Sequence, residues 1–410
     1  MRVDAPMRRW LAVPVALSAI ILAGAVVSTS SVRDVLTGVA PQSMSLEFPP
    51  AYVLTSPLSR FLDIIGLMSV QQHIAFVITI VGFAALLAAL RKKRTLLWAG
   101  ITLVALVIAY GLSAAFPRPM AMLAVLDREF VRVDFHSHTN ASGDARKSFD
   151  AEDNRAWHRA GGFDVAYVSD HRSFAGAEAA VRNNPRIARD GTVLLSAYEG
   201  RYRGLFMIDL GLTRADSMTL LDSHRWLRAG NLTSGLRPAN VAALPGPLSD
   251  VQREARDGAA GIAAIEIIDG SPKAFSQRDA DRKEIIARAD SLNIALVASS
   301  NNHGWGRVVP GWTLVNIPGW QSMSPDSLGA QIERELRINP RAVRVIERAR
   351  PSPKTFIGAA LTVPAFAAQT FTGLSLAERF VWILWMWVVA FTIRFRRGRI
   401  PSAPQHVLSS

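Results

Sequence analysis

Cysteine is absent from the 410 residues. Disulfides, zinc–thiolate sites and thiol nucleophiles are therefore excluded. Acidic residues are in deficit, 33 against 46 Lys and Arg, which leaves a formal charge of +13. Such an excess invites a nucleic-acid reading. Much of it, however, sits beside long apolar runs, where cations orient membrane segments, and no specific nucleic-acid binding is expected. Histidine is scarce at eight, so a place where several gather is informative. The chain is rich in apolar residues: 50% are hydrophobic, concentrated in a few runs rather than spread.

Those runs divide the chain. Residues 1–116 form a membrane region with three expected transmembrane helices, at about 10–27, 74–90 and 96–116. The first follows Arg2, Arg8 and Arg9 and reads as an uncleaved anchor. A signal peptide ending near Ala23, Gly24 and Ala25 is the alternative, but the run is longer than most h-regions. Between the first two, Phe61–Met68 reads as a short amphipathic helix on the membrane surface. The second and third spans flank Arg91-Lys92-Lys93-Arg94. A turn with four cations belongs on the cytoplasmic side, so Phe116 emerges outside.

After residue 354 the membrane returns. The segment 356–371 carries Pro364 and reads as re-entrant or surface-lying, and a single span is expected at about 374–393, ahead of the basic stretch Arg394–Arg399. Its inner part, Phe380–Ile393, reaches only ~21 Å as helix against a ~30 Å hydrocarbon core, so Glu378 and Arg379 belong at the interface. The expectation is an integral protein of the cell (inner) membrane, partnered with the lipid bilayer, with residues 117–354 extracytoplasmic, facing the periplasm.

Residues 117–354 alternate strand and helix patterns. Strands are predicted at Val131–Phe135, Val165–Val168, Val193–Tyr198, Leu205–Leu210, Val241–Leu244, Ala263–Ile268 and Ile294–Ala298. Helices are predicted at Ala151–Ala160, Ala175–Arg182, Ser249–Ala255, Arg278–Ala289 and Asp326–Arg337, several beginning at a capping Asp or Ser. This alternation argues for a mainly parallel sheet, open or closed as a barrel.

In the first strand, Val131, Val133 and Phe135 alternate with Arg132, Asp134 and His136. Residues two apart share a side, so His136 and His138 present two imidazoles to one point, and Asp144 follows after a short turn. Two imidazoles and a carboxylate suit Zn, Mn or Fe, whereas the bland reading is two polar residues at a strand end. Further chemistry collects where strands should end: Asp170-His171, Glu199, and Asn301-Asn302-His303. The other histidines read as structural or solvated: His158 and His224 on helix faces, His73 at a membrane edge, His406 in a tail. Arg172, Arg201 and Arg203 follow these positions and are either phosphate clamps or solvated loop residues.

Phe135-His136-Ser137-His138-Thr139, then Val168-Ser169-Asp170-His171, then Tyr198-Glu199-Gly200, then Asn301-Asn302-His303-Gly304-Trp305-Gly306 resembles, in order and spacing, the PHP (polymerase and histidinol phosphatase) family over about residues 130–310. The resemblance implies an α/β fold, a distorted (β/α)7 PHP-type barrel, here flanked by transmembrane helices. It implies divalent metal ions and phosphoester hydrolysis. His136, His138 and Glu199 match one metal position, with Asn301 where the family has Asp; Asp144, His171 and His303 match a second. Met207 and Leu244 stand where the family commonly has histidines, and neither ligates a hard metal. Two divalent ions are therefore expected, Zn, Mn or Fe.

The resulting expectation is a membrane-anchored, extracytoplasmic metal-dependent phosphoesterase. It would act on a phosphorylated small-molecule or lipid-linked substrate, a phosphomonoester or phosphodiester, with metal-activated water. His171, His303 and Asp144 would be catalytic, Arg201 would hold the phosphate, and Asp170 would orient His171. The alternative is a degenerate barrel that binds metal or a phosphorylated ligand as a sensor or scaffold. A transporter reading is weak, because the spans carry few internal charges and no paired repeats.

Overall fold

The computed structural model describes residues 5–27, 29–202, 205–215, 239–243, 262–351 and 356–398. The expected helix Ser249–Ala255, His224, Arg203, Leu244, Arg399 and His406 lie outside them. Helix α1 (Ala5–Ala23), strands β1 (Val32–Asp34) and β2 (Met44–Glu47), and helices α2 (Pro50–Leu54), α3 (Ser56–Gly66), α4 (Val70–Leu90) and α5 (Thr95–Ala115) come first. Then follow β3 (Met122–Val125), β4 (Phe130–Ser137), α6 (Ala151–Ala160), β5 (Val165–Val168), α7 (Ala175–Arg182), β6 (Val193–Tyr202), β7 (Leu205–Leu210), β8 (Asn240–Ala242) and β9 (Ile262–Ile268). Next come α8 (Asp279–Leu292), β10 (Ala295–Ala298), β11 (Gly311–Asn316), α9 (Pro325–Ile338) and β12 (Arg344–Arg348). Helices α10 (Phe356–Ala360), α11 (Thr362–Thr372) and α12 (Leu376–Gly398) follow.

Local signals account for the starts of two helices that flank the sheet. The Asp150 carboxylate accepts from the Glu152 and Asp153 amides, capping α6, and the Ser324 hydroxyl accepts from the Ser327 amide at the start of α9. Acidic residues in the first turn of α6 and basic ones in its last complement the helix dipole.

The strands join in one ten-stranded sheet, ordered β1-β12-β11-β4-β5-β6-β7-β8-β9-β10, with β2 and β3 paired separately. This corrects the expectation of a mainly parallel sheet. The pairs β4–β5, β5–β6, β8–β9 and β9–β10 are parallel, but β7 runs antiparallel to both its neighbours, as do β11 and the pair β1–β12. One of the strands missed in the sequence is masked by charge. β12 is rich in charge, yet Glu347 pairs with Arg33 and Arg282, and Arg348 with Asp63.

The sheet curls until its last strand returns to the middle. The Ala298 amide donates to Thr313 Oγ1, the Asn301 amide to the His136 carbonyl, and the His138 amide to the Asn302 carbonyl. The concave side is packed with apolar residues from β4 through β11, among them Val133, Val165, Ala197, Ile208, Val241, Ala264, Val297 and Val315. Leu328, Ile332 and Leu336 of α9, spaced four apart on one helix face, seal one end of that core. The opposite end, where β4, β5, β6, β8, β9 and β10 finish, is left for polar chemistry.

Three helices among the described residues are long and apolar enough to cross a membrane: Val70–Leu90, Thr95–Ala115 and Leu376–Phe395. Helix α1 differs from expectation. Apolar residues continue to Val27, but the helix ends at Ala23 and its apolar part, Leu11–Ala23, is shorter than a span. Gly24 follows, where a Cβ would meet the Phe371 carbonyl oxygen at 2.6 Å. The helix instead leans on α12, where Trp387 Nε1 donates to Ser18 Oγ and Arg379 donates to the Ile21 carbonyl. Segment 356–371 resolves into the short helices α10 and α11, with Phe366 packed on Met68, Phe76 and Leu106.

Helix α3 is amphipathic as expected, but its polar face is buried. Arg60 makes a two-pronged ion pair with Glu378 of α12, at 2.8 and 2.7 Å. Asp63 meets Arg118 at 2.5 Å and Arg348 of β12 at 2.9 Å, and accepts from the Tyr52 hydroxyl. Burial pushes the Asp63 carboxyl up, but Arg118 and Arg348 outweigh it and hold it below its ordinary value. The long apolar helix α12 and the sheet are thus both tied to α3.

Candidate metal centre

The alternation expected along β4 fails at its end, to a useful purpose. Asp134 stands opposite Ala166 of β5 and Ser137 opposite Val168, so β4 holds one extra residue there. This bulge lets Phe135 stay in the apolar core while His136 also turns toward the end of the sheet. Asp134 leaves the site entirely. Its carboxylate accepts from the His136 and Ser300 amides and pairs with the buried His158 at 2.8 Å, a structural role for that histidine.

Four elements then converge. His136 Nε2 lies 3.0 Å from His138 Nε2 and 3.0 Å from Glu199 Oε2 on β6. The same Glu199 oxygen is 3.3 Å from His138 Nε2 and 3.2 Å from His171 Nε2, just past β5. Asp144 Oδ2 lies 3.5 Å from His171 Nε2 and 3.4 Å from His303 Nε2, beyond β10. The His138 ring stacks against His171 and His303 at 4.8 and 4.1 Å. His136 and His138 are buried, whereas the His171, His303 and Asp144 side chains are 28%, 23% and 56% exposed. The cluster therefore has a closed floor and an open rim.

The electrostatics of the floor are strongly coupled. Burial pushes His136 down, but Glu199 and Glu266 on either side raise it well above the ordinary imidazole value. Burial pushes His138 down to about 3, so that ring is neutral and carries a bare lone pair. Burial raises Glu199, yet His136 and His138 hold its carboxylate well below the usual range. Burial also raises Asp144, but the Ser142 hydroxyl, His303 and His171 lower it overall. On the rim, burial lowers His303.

Two residues absent from the sequence reading join the floor. Glu266, in the middle of β9, places Oε1 at 2.9 Å from His136 Nδ1, and Asp269 just beyond β9 completes a group with His136 and Glu266. Burial raises the Asp269 carboxyl to about 6. The available signal was a lone glutamate inside the apolar run Ile262–Ile268. Asn301 was placed with His136, His138 and Glu199, but its Nδ2 donates to Asp269 Oδ2 at 3.1 Å instead. Its Oδ1 is buried with no hydrogen-bond partner, as is His138 Nδ1.

Other expected contacts are redistributed. Asp170 does not orient His171; its two oxygens accept from the Thr139 amide at 2.6 Å and hydroxyl at 2.7 Å, fixing the turn after His138. Burial raises Asp170 to about 6. Met207 sits in an apolar cluster with Ala242 and Ile265. Arg172 and Arg201 are exposed, and the Arg201 guanidinium lies 5.4 Å from the Phe206 ring. Arg172 and Asn301 both hold positive φ, 57° and 45°, at the edge of the cluster. Such backbone costs roughly 1–3 kcal/mol per residue and gathers at functional sites.

The donor set fits a divalent cation. Three imidazole nitrogens crowd one Glu199 oxygen, more than its lone pairs can accept, while softer sulfur ligands are lacking. Imidazole and carboxylate together suit Zn, Mn or Fe.

No family model and no curated protein matches the chain. Among solved structures, it is similar to a two-domain protein of Bacteroides vulgatus containing a predicted PHP-like metal-dependent phosphoesterase, with 13% identity over 53% of this chain and a TM-score of 0.33. That match spans 65% of the Bacteroides protein, just under two thirds of its length. PsfC of Pseudomonas syringae is similar at 16% identity over 59% of this chain and 98% of its own, with a TM-score of 0.36. A Bifidobacterium adolescentis protein described as a metal-dependent phosphoesterase is similar at 14% identity over 50% of this chain and 96% of its own, with a TM-score of 0.32.

Proposed function

We propose that the chain is a membrane-anchored, extracytoplasmic, metal-dependent phosphoesterase with a PHP-type barrel. The observation that carries this reading is the convergence of His136, His138 and His171 on one oxygen of Glu199, with Asp144 and His303 at the rim. A structural sheet end needs no such gathering of half the chain's histidines. The membrane placement rests on the four cations Arg91–Arg94 between α4 and α5, which belong in the cytoplasm and leave the sheet on the other side of the cell membrane.

In this reading His136, His138 and Glu199 would hold one divalent ion and Asp144, His171 and His303 a second. The chemistry such ions would supply is water acidified toward neutral pH and neutralised phosphoryl charge. The chain's own residues do the rest. Glu266 fixes the His136 ring, and Asp170 holds the turn that carries His138 towards Asp144. The rim position of His171, His303 and Asp144 leaves them open to a phosphate entering from solvent. Arg201, two residues beyond Glu199 and on its side of β6, is assigned the phosphate, whose oxygens match a planar guanidinium.

A second reading, a barrel that binds metal or a phosphorylated ligand without turnover, is favoured by Asn301, whose amide is engaged by Asp269. The two separate on a panel of phosphomonoesters and phosphodiesters, using full-length protein with added Mn. Turnover that a chelator abolishes and Mn restores supports the enzyme. Tight metal binding with no turnover across the panel supports the sensor.

A further inference from the structure

The mouth of the cluster opens onto a cavity of about 570 Å³ that is bounded on its other side by the membrane helices. Asp144 and His303 line one end; Ile65 of α3, Ala114 of α5, and His73 and Tyr110 line the other. His73 Nδ1 and the Tyr110 hydroxyl, 2.8 Å apart, bridge α4 and α5. Tyr110 lies five residues before the end of α5 at Ala115, about 7 Å along a helix. That depth matches the step from headgroups to hydrocarbon, roughly 5–8 Å on each side of a bilayer.

The contact between site and span is built into the backbone. The loop bearing Asn301 and His303 ends at Gly306, whose amide donates to the Ala114 carbonyl at 2.7 Å. Two residues on, Val308 sits so close to α3 that a Cβ on Gly66 would lie 2.6 Å from it. At the mouth Trp305 is 51% exposed, with the Arg146 guanidinium 5.7 Å from its ring. An exposed indole beside a cation is suited to the headgroup layer. A soluble phosphoester needs neither an apolar wall nor this depth.

We infer that the substrate is a phosphate ester of a lipid alcohol, drawn from the outer leaflet, with its phosphate at the histidine cluster and its chain in the cavity beside α3 and α5. The bond broken rests on the phosphoesterase reading, whereas the binding mode does not. Water adds to phosphorus, the ester P–O bond breaks with its electrons going to the lipid oxygen, and a proton from the water ends there. The products are the lipid alcohol and a phosphate.

The test uses full-length protein in an uncharged detergent, with Mn and a series of n-alkyl monophosphates from ethyl to octyl. The value of kcat/KM rises about fourfold per added methylene as the chain fills the cavity. In Ala114→Trp, which blocks the cavity, that slope falls toward one; Ala114→Leu, a smaller plug at the same wall, repeats the test if the first variant fails to fold. Calorimetric binding of octylphosphonate, which cannot be hydrolysed, gives the same comparison without turnover. Active short esters with a flat chain-length dependence overturn the lipid assignment and leave the phosphoesterase standing. No hydrolysis, but octylphosphonate binding that Ala114→Trp abolishes, supports the lipid site and overturns the phosphoesterase. Neither hydrolysis nor binding overturns both.

Discussion

Glu266 Oε1 accepts from Nδ1 of His136 at 2.9 Å, with both residues buried under the histidine cluster. A carboxylate can only accept, so the proton sits on Nδ1 and Nε2 is turned toward Glu199. This is the arrangement by which a carboxylate fixes the tautomer and raises the basicity of a metal-ligating imidazole. Glu266→Gln keeps the shape and removes the charge. It should weaken divalent-metal affinity by roughly 10- to 100-fold in a chelator competition titration. An unchanged affinity would show that His136 is not a ligand through Nε2.

Asn301→Asp has two opposed consequences. Asp269 loses its amide donor and gains a facing carboxylate, so the metal-free protein should unfold at lower temperature. An anionic oxygen beside the cluster should at the same time tighten divalent-metal binding. Thermal unfolding with and without Mn reads both effects. Equal shifts in the two conditions show that a carboxylate at position 301 does not reach the metal.

Glu333 on α9 offers a pH test away from the cluster. Burial raises its carboxyl to about 7, against the lowering influence of Arg337 and neighbouring Tyr167. The folded state therefore binds this proton more tightly than the unfolded chain. The stability it contributes is full below pH ~4.5 and is lost as pH rises through 7. Glu333→Gln mimics the protonated form. It should change stability little at pH 4 and add up to about 3 kcal/mol at pH 8, measured by denaturant unfolding. A gain independent of pH contradicts the assignment.

Much of the sheet was legible because its strands are short apolar runs and helix α6 begins at a capping Asp150. Val165–Val168, Leu205–Leu210, Ala151–Ala160 and Ala175–Arg182 fall where periodicity placed them. What remained hidden depends on partners distant in sequence. The charges of β12 hide a strand because Asp63, Arg33 and Arg282 neutralise them across the fold. The bulge at Asp134–Ser137 is invisible in a pattern that alternates. The histidine cluster was legible because HxH on a strand is local geometry, whereas Glu266 and Asp269 enter only when β9 curls beneath β4. Met207, read as no ligand for a hard metal, packs in an apolar cluster with Ala242 and Ile265.

Asp63 tests the tie between α3 and the sheet. Its two arginine partners, Arg118 and Arg348, are buried with it. Asp63→Ala leaves both cations unpaired in the interior and should cost about 3–5 kcal/mol of stability in denaturant unfolding of the full-length protein. A loss below about 1 kcal/mol contradicts the joint role assigned to α3.

The most direct test of the phosphoesterase claim is the rate of phosphoester hydrolysis at saturating Mn by wild type and by His303→Ala. His303 lies on the rim, partly exposed and outside the apolar core, so the variant should fold as wild type does. The prediction is metal-dependent turnover by wild type and a loss of at least about 100-fold in the variant, as removal of a group that acts in the transition state requires. Equal rates in the two proteins, whether both active or both inert, contradict it.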